Sequence, residues 1–274
     1  MRYLIITKRH IMIFAAVFVS FAVLSITSAF ALQNKNRLLP IYSVNTNKKV
    51  VALSFDAAWG NEDTQDLIDI LKKYAIKATF FVVASWVDKY PESVKALHDA
   101  GHEIGNHSTT HPHMPKLSTE EMTNEVKTCN EKIKNVTNTE PILFRAPYGD
   151  YNNNVIKTLG DLNMYTIQWD VDSRDWMEGH TAEKITQDAT KNVQNGSIIL
   201  FHNAAVNTPA ALPNIIENLK SQGYSFVKIS DLIIKENYTI DHAGRQQSNE
   251  DNNSGSSSSP NNTSNSSEFG SSSN

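Results

Sequence analysis

The sequence predicts an α/β domain built on a parallel sheet that curls towards a barrel. Three observations carry that expectation. Short apolar runs of strand length alternate with amphipathic runs of helical length, the pattern of βαβ units. Seven strand candidates fit within residues 48–238, which favours barrel-like closure over an open sheet, although spacing alone does not decide it. Reactive side chains (Asp56, His107, Arg145, Asp172 and His202) stand at or just past the C-terminal ends of separate strands, and in a parallel barrel those ends meet on one face.

The strand candidates, in order, are VVALSF (50–55), ATFFVVA (78–84), HEIGNHS (102–108), ILFRA (142–146), MYTIQWDV (164–171), SIILFH (197–202) and SFVKI (225–229). Each is rich in β-branched or aromatic residues and ends at a polar or turn-forming one. Between them lie DTQDLIDILKKY, PESVKALHDAG, STEEMTNEVKTCNEKI, AEKITQDATKNV and ALPNIIENLKSQG, which repeat apolar residues at helical spacing. Most open on Ser, Thr or Asp, or close near Gly, as capping chemistry requires.

The ends of the chain read differently. Arg2, Lys8 and Arg9 precede an uncharged apolar run from Ile11 to Leu32 that ends in Ala29-Phe30-Ala31. Residues 1–32 are therefore expected to be a cleaved signal peptide or an uncleaved signal anchor, long enough to span a bilayer. Both readings place the remainder outside the cytoplasm. Residues 33–47 read as a polar connector, residues 48–238 as one globular domain, and residues 239–274 as a disordered tail that collapses into Ser, Asn and Gly from Gln246. A net charge of -4 without a basic stripe argues against nucleic acid as a partner. The lone Cys129 excludes an internal disulfide, and its helical run marks it as a packing residue.

His107 and His111, four residues apart in GNHSTTHPHM, could both reach one metal ion if the segment turns; such pairs are common and weak alone. His113, between Pro112 and Pro115, reads as loop wall. Asp56 at a strand end could be a general base, a metal ligand or a helix cap. His202, closing SIILFH, could be a general acid or a satisfied core histidine. Arg145 in FRAPYG is expected to pair with a carboxylate. Asp170, Asp172 and Asp175 in WDVDSRDW supply further candidates.

SFD, HSTTH, FRAPYG, DSRDW and LFH, in that order, resemble the five motifs of the polysaccharide deacetylase (NodB-homology, carbohydrate esterase 4) family, and the similarity covers Val50 to about Ile229. FDAAWGNEDT and WDVDSRDW are most similar to its sporulation-associated branch. The resemblance implies a distorted (β/α)7 barrel and hydrolysis of N-acetyl groups on an amino-sugar polymer, with peptidoglycan favoured over chitin-like chains. It implies a divalent metal, zinc before Co2+, Ni2+ or Mn2+, held partly by His107 and His111, that polarises the acetamide carbonyl and a water. Asp56 would be the base and His202 the acid, oriented by Asp175. Arg145 would position Asp56. Tyr148 would offer a backbone N–H to the oxyanion, with Pro147 in the same turn. Trp176 and Leu200 would line the acetyl pocket. The expected chain is a monomer.

One position departs from the pattern. The family's first motif usually has two consecutive aspartates, the second a metal ligand, and here residue 57 is alanine. Three expectations follow: Glu62 or Asp63 supplies the missing ligand, Asp56 or water fills the position, or the protein binds glycan without cleaving it. Glu62 and Asp63 also suit the start of a helix, where acids are favoured. A glycoside hydrolase would need two carboxylates flanking the scissile bond, which these motifs do not supply.

Overall fold

The run VVALSFDA becomes the central strand of the sheet, and its period-2 alternation explains why. Val51, Leu53, Phe55 and Ala57 pack into the layer shared with the helices, while Ser54 and Asp56 face a buried arginine on the other side. The structure, a computed structural model, describes residues 37–249 together with residues 18, 20 and 21. The apolar segment expected to be a signal peptide or anchor therefore lies almost wholly outside the described residues. Among the described residues no helix is long and apolar enough to cross a membrane.

The strands are β1 (Ser43–Val44), β2 (Val50–Ala57), β3 (Thr79–Val82), β4 (Glu103–Asn106), β5 (Leu143–Phe144), β6 (Tyr165–Thr166), β7 (Val171–Asp172), β8 (Ile198–His202), β9 (Ser225–Phe226), β10 (Tyr238–Ile240) and β11 (Arg245–Ser248). The helices are α1 (Thr64–Lys73), α2 (Ala84–Lys89), α3 (Pro91–Asp99), α4 (Thr119–Thr137), α5 (Asn153–Asp161), α6 (Ala182–Thr190), α7 (Thr208–Ser221) and α8 (Ile229–Leu232). The principal sheet runs β6-β5-β4-β3-β2-β8-β7 with every neighbour parallel, and β9 joins the start of β2. It curls into a half-barrel wrapped by helices, the distorted (β/α)7 arrangement the sequence predicts. The register aligns the C-terminal ends: Asp56 stands opposite His202, Val82 opposite Asn106, and Asn106 opposite Phe144.

Local chemistry places the helices. Ser118 and Glu121 form a reciprocal capping box at the start of α4, Asn152 caps α5 and Thr181 caps α6. Their apolar faces bury Leu67, Leu97, Ile133, Ile185 and Ile215 against the sheet. Cys129 lies in this layer, its Sγ pointing at the Val82 carbonyl at 3.4 Å and its thiol pushed up to about 12 by burial, as a packing residue should be.

Three boundaries differ from expectation. MYTIQWDV, read as one strand, divides into β6 and β7, which form the opposite edges of the sheet. Residues 38–44, assigned to the polar connector, bridge the β6 edge to the segment leading into β8. Ile41 donates its N–H to the Thr166 carbonyl at 2.9 Å and accepts from Gln168 at 2.7 Å, and Val44 donates to the Gly196 carbonyl at 3.0 Å. The start of the expected tail is folded as well, because β11 pairs with β1 and β10 in a second, three-stranded sheet. Gln246 is fully buried, its amide answering both the N–H and the carbonyl of Ile234. The cause is compositional: these short strands bury polar residues such as Ser43 and Gln246, so no hydrophobic alternation marks them.

Candidate active site

Asp56, the penultimate residue of β2, faces the interior of the half-barrel. Arg145, completely buried one residue past β5, donates Nη1 to Asp56 Oδ1 at 2.8 Å. Its Nη2 reaches Ser54 Oγ at 2.8 Å and the Gln168 carbonyl at 3.2 Å. The guanidinium carbon lies 4.2 Å from the centre of the Phe81 ring, so one face is packed while the two terminal nitrogens are spent on oxygens. Burial pushes the Asp56 carboxyl up, but the charge of Arg145 foremost, with its hydrogen bond, outweighs it and holds the group below its ordinary value. Asp56 is therefore an ionised carboxylate fixed through one oxygen.

His107 follows β4, and its ring Nδ1 lies 2.8 Å from the Arg145 carbonyl. A proton on Nδ1 directs the Nε2 lone pair towards Asp56 Oδ2, 3.6 Å away. His111 approaches through a loop in which Ser108 and His111 both adopt positive φ, 72° and 60°. Glu125 on α4 holds that loop: its carboxylate accepts from the N–H groups of Thr109 and Thr110 and from the Thr110 hydroxyl, each at 2.8 Å. The two imidazole rings lie 5.0 Å apart. Burial drives His107 below its ordinary value, and burial with the neighbouring His107 pushes His111 down to about 4. Both rings are neutral at neutral pH, the form that ligates metals.

His202 shares the rim. Its ring Nδ1 and backbone N–H both donate to the Asp175 carboxylate, each at 2.8 Å, and Thr208 donates a third bond to that carboxylate at 2.7 Å. Burial lowers the imidazole's proton affinity, yet the hydrogen bond and charge of Asp175 prevail and raise it above the ordinary value. Asn203, the next residue, accepts from Ala58 N at 3.1 Å and donates to the Gly60 carbonyl, tying the segment after Asp56 to the end of β8.

Asp56, His107, His111, Tyr148, Asp172, Asp175, Trp176, Leu200 and His202 all line one cavity of about 900 Å³, with Trp59, Trp169 and Asn203. Tyr148 sits at φ 60° in the tight turn Pro147–Gly149, while Pro147 is buried beneath it. His113 forms outer wall, stacked on Tyr148 at 4.3 Å and bonded to Asp150 at 3.0 Å. Asp170 turns away to bond Ile198 N and Ser197. Asn203 and Glu125 escaped the sequence reading; Asn203 had the signal of a polar residue at a strand end, whereas Glu125 stands on a helix with nothing to distinguish it.

The expected third metal ligand is not where the sequence placed it. Asp63 accepts from the Ala204 N–H at 2.8 Å, and the Glu62 carboxylate folds over Gly60; neither lines the cavity. Ala57 is buried in the apolar layer and offers no donor. Among the described residues no group of three His, Cys, Asp or Glu is assembled as a ready metal nest. The residues present still fit a divalent ion in part. Two neutral imidazoles, one oriented through its second nitrogen as ligating histidines are, face the free oxygen of Asp56.

Comparison with known proteins agrees with this geometry. Residues 43–167 match the family model for polysaccharide deacetylase. The chain is 34% identical over 194 residues to the uncharacterized protein YlxY of Bacillus subtilis, covering 71% of this chain and 60% of YlxY. It is 36% identical over 197 residues to a peptidoglycan-N-acetylglucosamine deacetylase of Bacillus cereus, covering 70% of this chain and 92% of that protein. Among solved structures, BA3943 of Bacillus anthracis, described as a CE4 family pseudoenzyme, superposes with a TM-score of 0.68 at 37% identity, over 72% of this chain and 69% of that one. Other relatives are much longer: the chain spans 39% of the Listeria monocytogenes deacetylase PgdA. With the fold, the motif positions and these likenesses in agreement, the chain belongs to the polysaccharide deacetylase family.

Proposed function

We propose that the protein hydrolyses N-acetyl groups from an amino-sugar polymer, with peptidoglycan as substrate, on the outer side of the membrane of a spore-forming bacterium. The observation that carries this reading is the pair of independently fixed proton-transfer groups, Asp56 on Arg145 and His202 on Asp175, facing one cavity. Relatives named as peptidoglycan-N-acetylglucosamine and peptidoglycan-N-acetylmuramic acid deacetylases support the substrate. The basic N-terminus and apolar run support export, as signal peptide or anchor.

Amide hydrolysis needs a base for the attacking water and an acid for the amine that leaves. Asp56, ionised and held through one oxygen, receives the proton from water. His202, whose proton affinity Asp175 raises, delivers one to the departing nitrogen. The Tyr148 N–H, in its tight turn, faces the developing oxyanion. Leu200 and Trp176 accept the acetyl methyl. A divalent ion, zinc foremost, held by His107 and His111 with Asp56 beside them, would supply electrophilic polarisation of the carbonyl.

A second reading is favoured by one residue. Ala57 removes a donor, and BA3943 is described as a pseudoenzyme; the protein would then bind wall glycan without cleaving it. Elemental analysis for bound metal, with acetate release from chito-oligosaccharide and from peptidoglycan, separates the two. Acetate release that a chelator abolishes and zinc restores is the expected result. No metal and no acetate in the native chain, with both appearing in Ala57→Asp, would establish the second reading.

A further inference from the structure

Trp59 is a large apolar side chain left 56% exposed at the rim of the cavity. Exposed aromatic surface beside a concave site marks a place where a ligand is covered. The backbone beneath it is fixed on both sides. Ala58 and Trp59 direct their N–H groups to Asn203 Oδ1 at 3.1 and 3.5 Å, and the Gly60 carbonyl accepts from Trp86 Nε1 at 3.0 Å. Small neighbours, Ala58 and Gly60, leave the indole unobstructed. Its ring lies 6.2 Å from that of His111 and 6.1 Å from that of His202, so it stands between the would-be ligand and the would-be acid.

We infer that Trp59 is a stacking platform for the sugar ring whose acetamide reaches between Asp56 and His202, and that this contact holds the glycan whether or not the site turns over. This rests on the amino-sugar reading given above. A pyranose with equatorial substituents presents C–H groups on its faces and hydroxyls at its edge. The faces suit the negative face of an indole, and the edge suits the polar groups around it. Asp172, His202 and Asn203 line the same cavity and supply those polar partners. A rigid aromatic loses little conformational freedom on binding, so a preorganised indole converts most of its contact into affinity. A concave, open-mouthed cavity suits one ring of a polymer and argues against a flat protein or lipid surface.

The test measures binding separately from hydrolysis. The full chain is titrated with an N-acetylglucosamine tetramer in excess chelator, by calorimetry and by intrinsic fluorescence. Trp59→Ala should weaken binding by about tenfold or more, and Trp59→Phe should recover most of the loss. Melting temperatures should match the native chain, since the side chain is half in water. Trp59→Ala binding as tightly as the native chain would overturn the platform alone. A native chain that binds no amino-sugar oligomer, with or without zinc, would overturn the glycan reading and the platform with it.

Discussion

At His202 burial and charge act in opposite directions, and charge prevails. Desolvation alone would leave a neutral imidazole, as it does at His111; the carboxylate of Asp175, bonded to both the ring and the backbone of His202, reverses the outcome. Asp175→Asn should therefore drop the His202 pKa below the ordinary 6.5, because an amide keeps the geometry and loses the charge. An NMR titration of the imidazole protons reads this directly, and an unchanged midpoint would show that Asp175 does not set the proton affinity. The sign for activity follows. His202 must be protonated to serve the leaving amine, so the alkaline limb of the rate profile should move to lower pH in the variant. His202 and Asp175 were legible in the sequence because each stands in a recognisable motif. Asn203 was not, because its work is to bond main-chain groups of Ala58 and Gly60 that carry no sequence mark.

At the scale of elements, catalytic groups are held by segments that do not themselves react. The loop carrying His111 depends on α4 through Glu125, which satisfies main-chain donors and permits two residues at positive φ. Glu125→Ala should cost about 2–4 kcal/mol of stability and loosen the loop. Zinc affinity should then fall by more than tenfold, and calorimetry with a thermal melt would separate the two effects; full zinc affinity would show that His111 needs no clamp. Before α1, Asp63 anchors the turn after His202. Burial pushes its carboxyl up to about 6 from an ordinary 3.8. The folded chain then holds a proton that the unfolded chain releases, so this contribution is complete below about pH 4 and is lost as pH rises through about 6. Discounted for solvent screening it amounts to roughly 1–2 kcal/mol. Asp63→Asn should flatten stability over that interval in denaturant melts, and an unaltered slope would refute the assignment. Neither anchor follows from helical periodicity, which marks apolar faces and is silent about polar residues that serve a neighbouring loop.

For the molecule as a whole, the sheet and its reactive rim were readable because parallel strands buried on both sides are continuous apolar runs, and VVALSF or SIILFH can be little else. What was not readable was the closure. Residues 38–44 are short and interrupted by Pro40, residues 238–248 are mostly polar, and only pairing with each other and with Ile167 and Ser197 makes them strands. A chain ending after Asn237 should therefore melt well below one ending after Asn249, by at least several degrees, because it loses β10 and β11 and leaves β1 without its strand partner, held only by bridges to Gly196 and Ser197. Equal melting points would mean that the second sheet contributes nothing.

That seam has a consequence for the order of events during synthesis. Asn45 and Gln247 are bonded across 202 residues, and β1 lies against β11, one of the last strands to be made. Contacts of such separation carry a large loop-closure cost and form late. Among the described strands β1 is the earliest, and its strand partner β11 is the latest to be made. The second sheet is thus completed only once its C-terminal strand has been made, whatever the rest of the domain has already formed.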